Sequence, residues 1–365
     1  MKLLYITNGI NGSGGLERVL AIKASYLSDQ LGYEVHILTL NESDHKPFYI
    51  FSSKVHFHSI SVKGNSLRYS INYSKGIKRI IRQLQPHVIS VCDDGLKAFF
   101  LPLILGNKIP LIYERHASIQ LNFSNQEATK KQQLMHYMMQ KLGRKFDAFI
   151  VLTNGNLKEW KGNNLKVIPN PLSFYPTNSS SLQKKRVIAV GSHSNTKGYD
   201  LLLKAWKKVI KIHPDWSLHI CGKQDQEKKY IKLATNLGLD KCVVFSPPIP
   251  YIEKVYLEST IMVLSSRSEG FGMVLIEAMA CGLPCVAFDC PHGPADIITH
   301  GEDGFLIENG NIDQMANAIM QLIEYKSVRI DMGTTAKKNV KRYLKEHVMP
   351  LWDDLFKKLE NANRL

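Results

Sequence analysis

At 365 residues the chain exceeds what a single ordinary hydrophobic core serves, and it fits two domains of usual size. With 44% hydrophobic residues it has a globular composition, and its net charge of +15 is unevenly placed: 22 Lys and Arg against 11 Asp and Glu up to Leu172, then 25 against 21. That surplus suits nucleic acid, an anionic bilayer or an acidic substrate, but no zinc-finger spacing, RNP-like aromatic string or basic heptad region accompanies it, which sets nucleic acid aside and favours a membrane surface.

The chain opens on Met1-Lys2-Leu3-Leu4-Tyr5-Ile6, an apolar run too short for a secretory signal and read as a first strand, so a cytoplasmic protein is expected. Short β-branched or apolar runs then alternate with longer helix-like segments to the far end, the pattern of parallel α/β architecture. A first sheet is predicted from 3–6, 35–40, 55–60, 88–91, 111–113, 148–152 and 165–168. A second follows from 187–190, 218–221, 243–245, 262–264, 284–288 and 304–307. Between them, the Pro-, Ser- and Asn-rich stretch 169–181 reads as a linker. The expected division is therefore 1–172, 173–342 and a closing helix over 343–365, where Leu344, Val348, Leu351, Trp352, Leu355 and Phe356 recur at helical spacing.

The longest apolar stretch, 98–106, contains Pro102 and falls short of the roughly 20 residues of a spanning helix, so any membrane association is expected to be peripheral. The basic stretch 75–82, with Ile77, Ile80 and Ile81 on one side, fits either a helix lying on an anionic membrane or a surface helix packed on its own sheet; the excess charge of this half favours the membrane. Cys92, Cys221, Cys242, Cys281, Cys285 and Cys290 lie in apolar segments with no Cys-x2-Cys pair, which predicts reduced, buried thiols and no zinc site.

In open parallel sheets ligands bind beyond the carboxyl ends of the strands, so the loops after each strand carry the candidate chemistry. The first holds Gly12-Ser13-Gly14-Gly15-Leu16-Glu17-Arg18, a turn into a helix that can cradle an anion or let a sugar approach the backbone. Glu17 stands where a dinucleotide fingerprint requires its third glycine, which weakens a nicotinamide enzyme, and the absence of Gly-x4-Gly-Lys-Ser/Thr argues against a P-loop ATPase. Asp93-Asp94 and Glu114-Arg115-His116 end two further strands. His116 could hydrogen-bond a sugar or acceptor hydroxyl, or serve at a helix entry. In the second half, Lys197 follows a strand as a flexible point charge suited to a diphosphate. Ser268-Glu269-Gly270-Phe271-Gly272-Met273-Val274-Leu275-Ile276-Glu277 then puts two carboxylates and a Gly-rich turn around a helix apolar on all other sides. Glu277 is thus expected to be buried and partnered, by a ligand or by a core Lys or Arg, with the helix-start N–H groups open to an anion.

The Glu-x7-Glu spacing, headed by Glu-Gly-Phe-Gly and closed by Ala-Cys-Gly-Leu-Pro-Cys-Val-Ala, resembles the signature of the retaining nucleotide-sugar glycosyltransferases of family 4. The segment Val-Ile-Pro-Asn-Pro, the turn Gly-Gly-Leu-Glu-Arg and the stretch Asp289-Cys290-Pro291-His292-Gly293-Pro294-Ala295-Asp296 are similar to others of that family, the last to a branch that builds bacterial surface polysaccharides and lipid-linked oligosaccharides, with Asp296 in place of Glu. The resemblance implies the GT-B fold: two Rossmann-like parallel-sheet domains facing an interdomain cleft, with a terminal helix crossing back to the first. It implies a donor site of Gly14, Gly15, Lys197, Glu269, Gly270, Phe271, Gly272, Met273, Val274 and Glu277, with Glu269 on the donor sugar and Glu277 on ribose hydroxyls. Glu269, Lys197 and His116 would serve catalysis, with Asp93, Arg115 and His116 on the acceptor side.

The implied reaction moves a sugar from a nucleotide diphosphate, most readily UDP, to a glycan or lipid-linked acceptor at the inner membrane face, without metal or other cofactor. Ser192 departs from the family's Gly-Arg-x4-Lys-Gly pattern, so either a diphosphate contact is missing or His193 or another basic residue supplies it. A sugar-nucleotide epimerase of the same architecture and a degenerate nucleotide-sugar-binding subunit stay open.

Overall fold

Alternation of period two builds the first sheet. Leu3 and Tyr5 of β1 (Lys2–Thr7) point to one face and Leu4 and Ile6 to the other, and all four are buried. Apolar residues on both faces are what a parallel sheet covered by helices requires. β2 (Glu34–Leu40), β3 (His56–Ile60), β4 (Val88–Cys92), β5 (Leu111–Glu114), β6 (Ala148–Val151) and β7 (Leu165–Val167) complete it, all pairings parallel, in the order β3-β2-β1-β4-β5-β6-β7. The second sheet joins β8 (Arg186–Val190), β9 (Ser217–Cys221), β10 (Val243–Ser246), β11 (Ile261–Leu264), β12 (Cys285–Asp289) and β13 (Gly304–Glu308) in the order β10-β9-β8-β11-β12-β13, again all parallel. Both are Rossmann-like, in agreement with the expected fold class.

The computed structural model describes residues 1–42, 46–119 and 129–363. Two units emerge: Met1–Pro171 with Lys345–Leu365, and Leu172–Leu344. The terminal helix, Lys345–Asn363, thus belongs with the first sheet, where Val348, Met349, Trp352, Leu355 and Phe356 pack beneath Leu3, Tyr5, Ile112 and Ile150. Tyr33 fixes its register by donating to Asp353 at 2.5 Å. The last two residues of the predicted closing helix lie outside the described ones.

One expectation needs correction. The helix Ser66–Leu84 does not turn Ile77, Ile80 and Ile81 outward: Ile77 and Ile80 are buried and Ile81 packs beside them, in a core that includes Leu4, Leu38 and Ile60 of the first sheet. Burial on its own sheet stabilises an apolar stripe without any bilayer. Among the described residues no helix is long and apolar enough to cross a membrane. All six cysteines are buried and free, and burial pushes the Cys92 and Cys285 thiols well up, so they stay protonated.

Candidate active site

Each sheet reverses its winding once, between β1 and β4 in the first unit and between β8 and β11 in the second. Loops leaving two neighbouring strands in opposite directions open a crevice at such a point. In the second unit those loops carry Lys197 and Glu269.

Their approach is built by small residues. Gly198, at φ +61°, lies so close to the Ser265 carbonyl that a Cβ would collide with it, and Ser265 Oγ donates to the Lys197 carbonyl at 2.8 Å. Arg267 N–H donates to the Thr196 carbonyl at 2.7 Å, while its guanidinium grips Asp200 in a two-pronged contact at 2.9 and 2.7 Å. With the loops locked, Lys197 Nζ meets Glu269 Oε1 at 2.5 Å, and Ser266 Oγ donates to the same oxygen at 2.5 Å. The pair is only partly sealed, with the side chains 20% and 11% exposed.

Beyond it, Gly272 turns the chain at φ +104° into the helix Met273–Ala280. A side chain on Gly293 would strike the Phe271 carbonyl, so the loop after β12 braces this turn. Gly270, Phe271, Gly272, Met273 and Val274 therefore line the start of a buried helix, whose first N–H groups have no carbonyl one turn back. Glu277 is fully buried and accepts from Ser173 Oγ at 2.8 Å and Tyr256 OH at 3.5 Å. Lys197, Glu269 and the turn thus form one group, with Glu277 one to two helical turns further in.

Ser192 is exposed, and its neighbour is no substitute cation. The His193 ring is buried among Tyr199, Tyr230 and Phe245, and burial lowers its pKa, favouring the neutral form. Arg267 is committed to Asp200.

In the first unit Gly14 caps the helix Gly15–Asp29 with no side-chain hydrogen bond, and the Glu17 carboxylate lies against Gly12 and Gly14. Two N–H groups earlier in the turn already have a carboxylate: Glu42 accepts from Ile10 at 2.9 Å and Asn11 at 3.4 Å. Asp93, buried after β4, accepts from Asn8 Nδ2 and the Gly95 N–H at 2.8 Å each and lies 3.5 Å from Lys97. Arg115, also buried, gives its guanidinium to the carbonyls of Ala117, Asp94 and Ser118, so it organises the loop after β5.

His116 takes a backbone bond from its N–H to Asp94 Oδ1 at 3.1 Å and sets Nε2 3.2 Å from Glu114 Oε2. Of the acceptor-side candidates, His116 is the one whose ring nitrogen Nδ1 makes no hydrogen bond among the described residues.

Ligand atoms of Cys92, Glu114 and His116 lie within 4.8 Å of one another, the one group among the described residues with metal-like spacing. It does not fit a metal. Lys23 Nζ already stands 2.5 Å from Glu114 Oε2, and burial keeps Cys92 a thiol. Sequence reading missed Lys23, Ser173 and Ser266. Nothing in a helix interior marks Lys23 as buried, and Ser173 lies in a segment read only as a linker.

Residues 176–339 match the family Glycosyl transferases group 1, and residues 13–173 match Glycosyltransferase Family 4. An uncharacterized glycosyltransferase of Haemophilus influenzae is 30% identical over 96% of this chain and 98% of its own. The amylovoran biosynthesis glycosyltransferase AmsD of Erwinia amylovora is 29% identical over 97% and 99%. The fold is shared with Anabaena HepE, solved in complex with UDP and glucose, at a TM-score of 0.78 and 18% identity over 98% of this chain and 99% of that one.

Proposed function

Since this chain belongs to glycosyltransferase family 4, we propose that it moves a sugar from a UDP-sugar to a hydroxyl of a glycan or lipid-linked glycan, with retention and without a bound metal. The observation that carries this reading is the Lys197–Glu269 pair beside the start of the buried Glu277 helix. HepE's complex supports UDP, and the role in AmsD's name supports a polysaccharide acceptor.

Lys197 and the N–H groups from Phe271 to Val274 face the leaving diphosphate, where negative charge grows as the glycosidic bond breaks. Lys197 supplies the cation, so no metal is needed to neutralise the leaving group. Glu269 meets the donor sugar while steering Lys197. Glu277, which already accepts from the hydroxyls of Ser173 and Tyr256, accepts in the same way from the ribose diol. Gly14 and Gly15 let a ligand approach the backbone of the first unit's turn once the Glu17 carboxylate moves off Gly14, and His116 accepts from a substrate hydroxyl in that unit. Catalysis then consists of holding the acceptor hydroxyl on the same face of the sugar as the departing diphosphate, which takes up its proton as the new bond forms, and of stabilising the charge that grows on that diphosphate.

The helix Ser66–Leu84 carries Arg68, Lys75, Lys78, Arg79 and Arg82 with no acidic residue, and Leu67 and Ile71 are exposed on it. These support contact with an anionic bilayer at the inner membrane face, expected as co-sedimentation with phosphatidylglycerol vesicles but not with neutral ones.

The test is thermal stabilisation by UDP-, GDP- and ADP-sugars in EDTA, on the wild type and Glu277→Gln, followed by product analysis. Stabilisation by a UDP-sugar that fades in the variant, with a retained anomer in the product, supports the reading. A requirement for divalent metal, stabilisation by no nucleotide sugar, or an isomerised donor overturns it. Binding without turnover would favour a degenerate donor-binding subunit, the reading that exposed Ser192 supports.

A further inference from the structure

The polar group buried beneath His116 has no part in the donor chemistry above. Lys23 Nζ lies 2.5 Å from Glu114 Oε2, and each side chain is 1% exposed. Ser90 Oγ donates to the other carboxylate oxygen at 2.5 Å, and His116 Nε2 stands 3.2 Å from Oε2. The ammonium lies 3.3 Å from the centroid of the Trp352 ring and 5.4 Å from that of Tyr5.

Burial acts to raise the Glu114 pKa, but the Lys23 charge and the His116 hydrogen bond outweigh it and hold the carboxyl at about 2. An ionised carboxylate only accepts. The imidazole nitrogen facing it must therefore carry the proton, which leaves the lone pair of the neutral ring on Nδ1.

We propose that Glu114 and Lys23 are positioning residues for the transfer: Glu114 fixes His116 with its proton on Nε2, Lys23 balances the buried carboxylate that does so, and Nδ1 is left to accept from a substrate hydroxyl other than the reacting one. This rests on the reading of His116 given above. A lone carboxylate in contact with an imidazole raises its pKa by about 1–3 units, and a cation on the same oxygen cancels much of that.

The other groups facing the pair do not replace Lys23. Tyr5 of β1 and Cys92 of β4 are held protonated by burial. Asp94 and Arg115 pair with each other at 3.3 Å. Trp352 brings the terminal helix into the arrangement, since its ring covers the ammonium and helps to offset its desolvation.

The experiment is a nitrogen-15 histidine titration by NMR, with the His116 signal assigned from His116→Gln, alongside kcat/KM against pH. In the wild type His116 reads as Nε2–H. In Lys23→Met its midpoint rises by about one unit or more, because the uncompensated carboxylate favours imidazolium, and the acidic limb of kcat/KM moves to higher pH with it. In Lys23→Met/Glu114→Gln, with no buried charge, the midpoint falls back.

Should the single Lys23 variant fail to fold, Glu114→Gln reads the same claim, for an amide can donate as well as accept and the Nε2–H share must drop. A wild-type Nδ1–H tautomer, an unmoved midpoint in Lys23→Met, or an unmoved tautomer in Glu114→Gln overturns the proposal. Full transfer by His116→Gln beside a shifted titration overturns the reading of His116 in the reaction and leaves the tautomer assignment standing.

Discussion

Lys23–Glu114 in the first unit and Lys197–Glu269 in the second have the same nitrogen-to-oxygen separation, 2.5 Å, the first joining a helix to the last residue of β5 and the second joining the segments that follow β8 and β11. They differ in burial: 1% exposure on each side of the first, 20% and 11% in the second. A sealed pair cannot exchange its partner, because neither charge can reach water on the way. A partly open pair can, and its lysine is free to share itself with an incoming diphosphate. Matched geometry would thus serve two purposes on the functions proposed above, one pair holding a fixed charge balance and the other a cation in readiness.

Loss of the lysine should separate the two pairs most clearly in stability. Lys23→Met is expected to cost about 3–5 kcal/mol, the usual result of stranding a buried charge, whereas Lys197→Met should cost less, about 1–3 kcal/mol, because Glu269 keeps the Ser266 hydrogen bond and some access to water. Urea unfolding of both variants measures this, and equal losses would refute the distinction. Activity should rank them the other way. On the proposed function, Lys197→Met removes the cation that meets the leaving diphosphate, so kcat/KM is expected to fall about 10²–10³-fold in a folded protein. Glu269→Gln, which keeps the hydrogen-bonding shape but frees Lys197 of its counter-charge, sharpens the point: donor-sugar turnover should fall while nucleotide affinity holds.

A smaller effect is expected at the brace of the second site. Gly293→Ala places a methyl against the Phe271 carbonyl at a residue held at φ +102°, so it should cost about 1–2 kcal/mol and loosen the turn before the Glu277 helix. Weaker UDP-sugar binding out of proportion to the stability loss, read by calorimetry, is the expected signature. Unchanged binding would mean that the turn does not face the donor.

How legible these sites were depends on what kind of spacing makes them. Glu269, Gly272 and Glu277 lie within one strand-loop-helix stretch, where local geometry alone brings them near one another, and a linear pattern can announce them. The two sheets were legible for a similar reason, since each strand repeats its own apolar run. Lys197 was found because a polar loop after a strand is a strong cue, although its contact with Glu269 across 72 positions comes only from the strand order.

Lys23, by contrast, pairs with Glu114 across 91 positions, and in a helix of ordinary amphipathicity a lysine reads as solvated. The sequence leaves the basic helix Ser66–Leu84 open between two readings, because an apolar stripe looks the same whether lipid or the chain's own sheet covers it. Periodicity reports that a face is buried; it does not report against what.

Acid also separates the sealed pair from the partly open one. Glu114 titrates near 2 in the folded chain and near about 4.3 when unfolded. Because the folded value is the lower one, the pair's stabilising contribution is complete above the unfolded pKa and is lost as pH falls from about 4.5 towards 2. Other carboxylates held low, Asp200 by Arg267 and Asp353 by Lys357 and Tyr33, give an acid limb of their own, so the wild-type curve alone does not isolate the effect. The difference between wild type and Lys23→Met/Glu114→Gln does, for it removes one titrating group and its cation together. That difference is expected to be flat from pH 7 to 5 and to shrink below about 4.5, as measured by urea unfolding at each pH. A flat difference down to pH 2.5 would mean that the buried pair stabilises by packing and not by charge, and would leave Lys23 no electrostatic hold on His116.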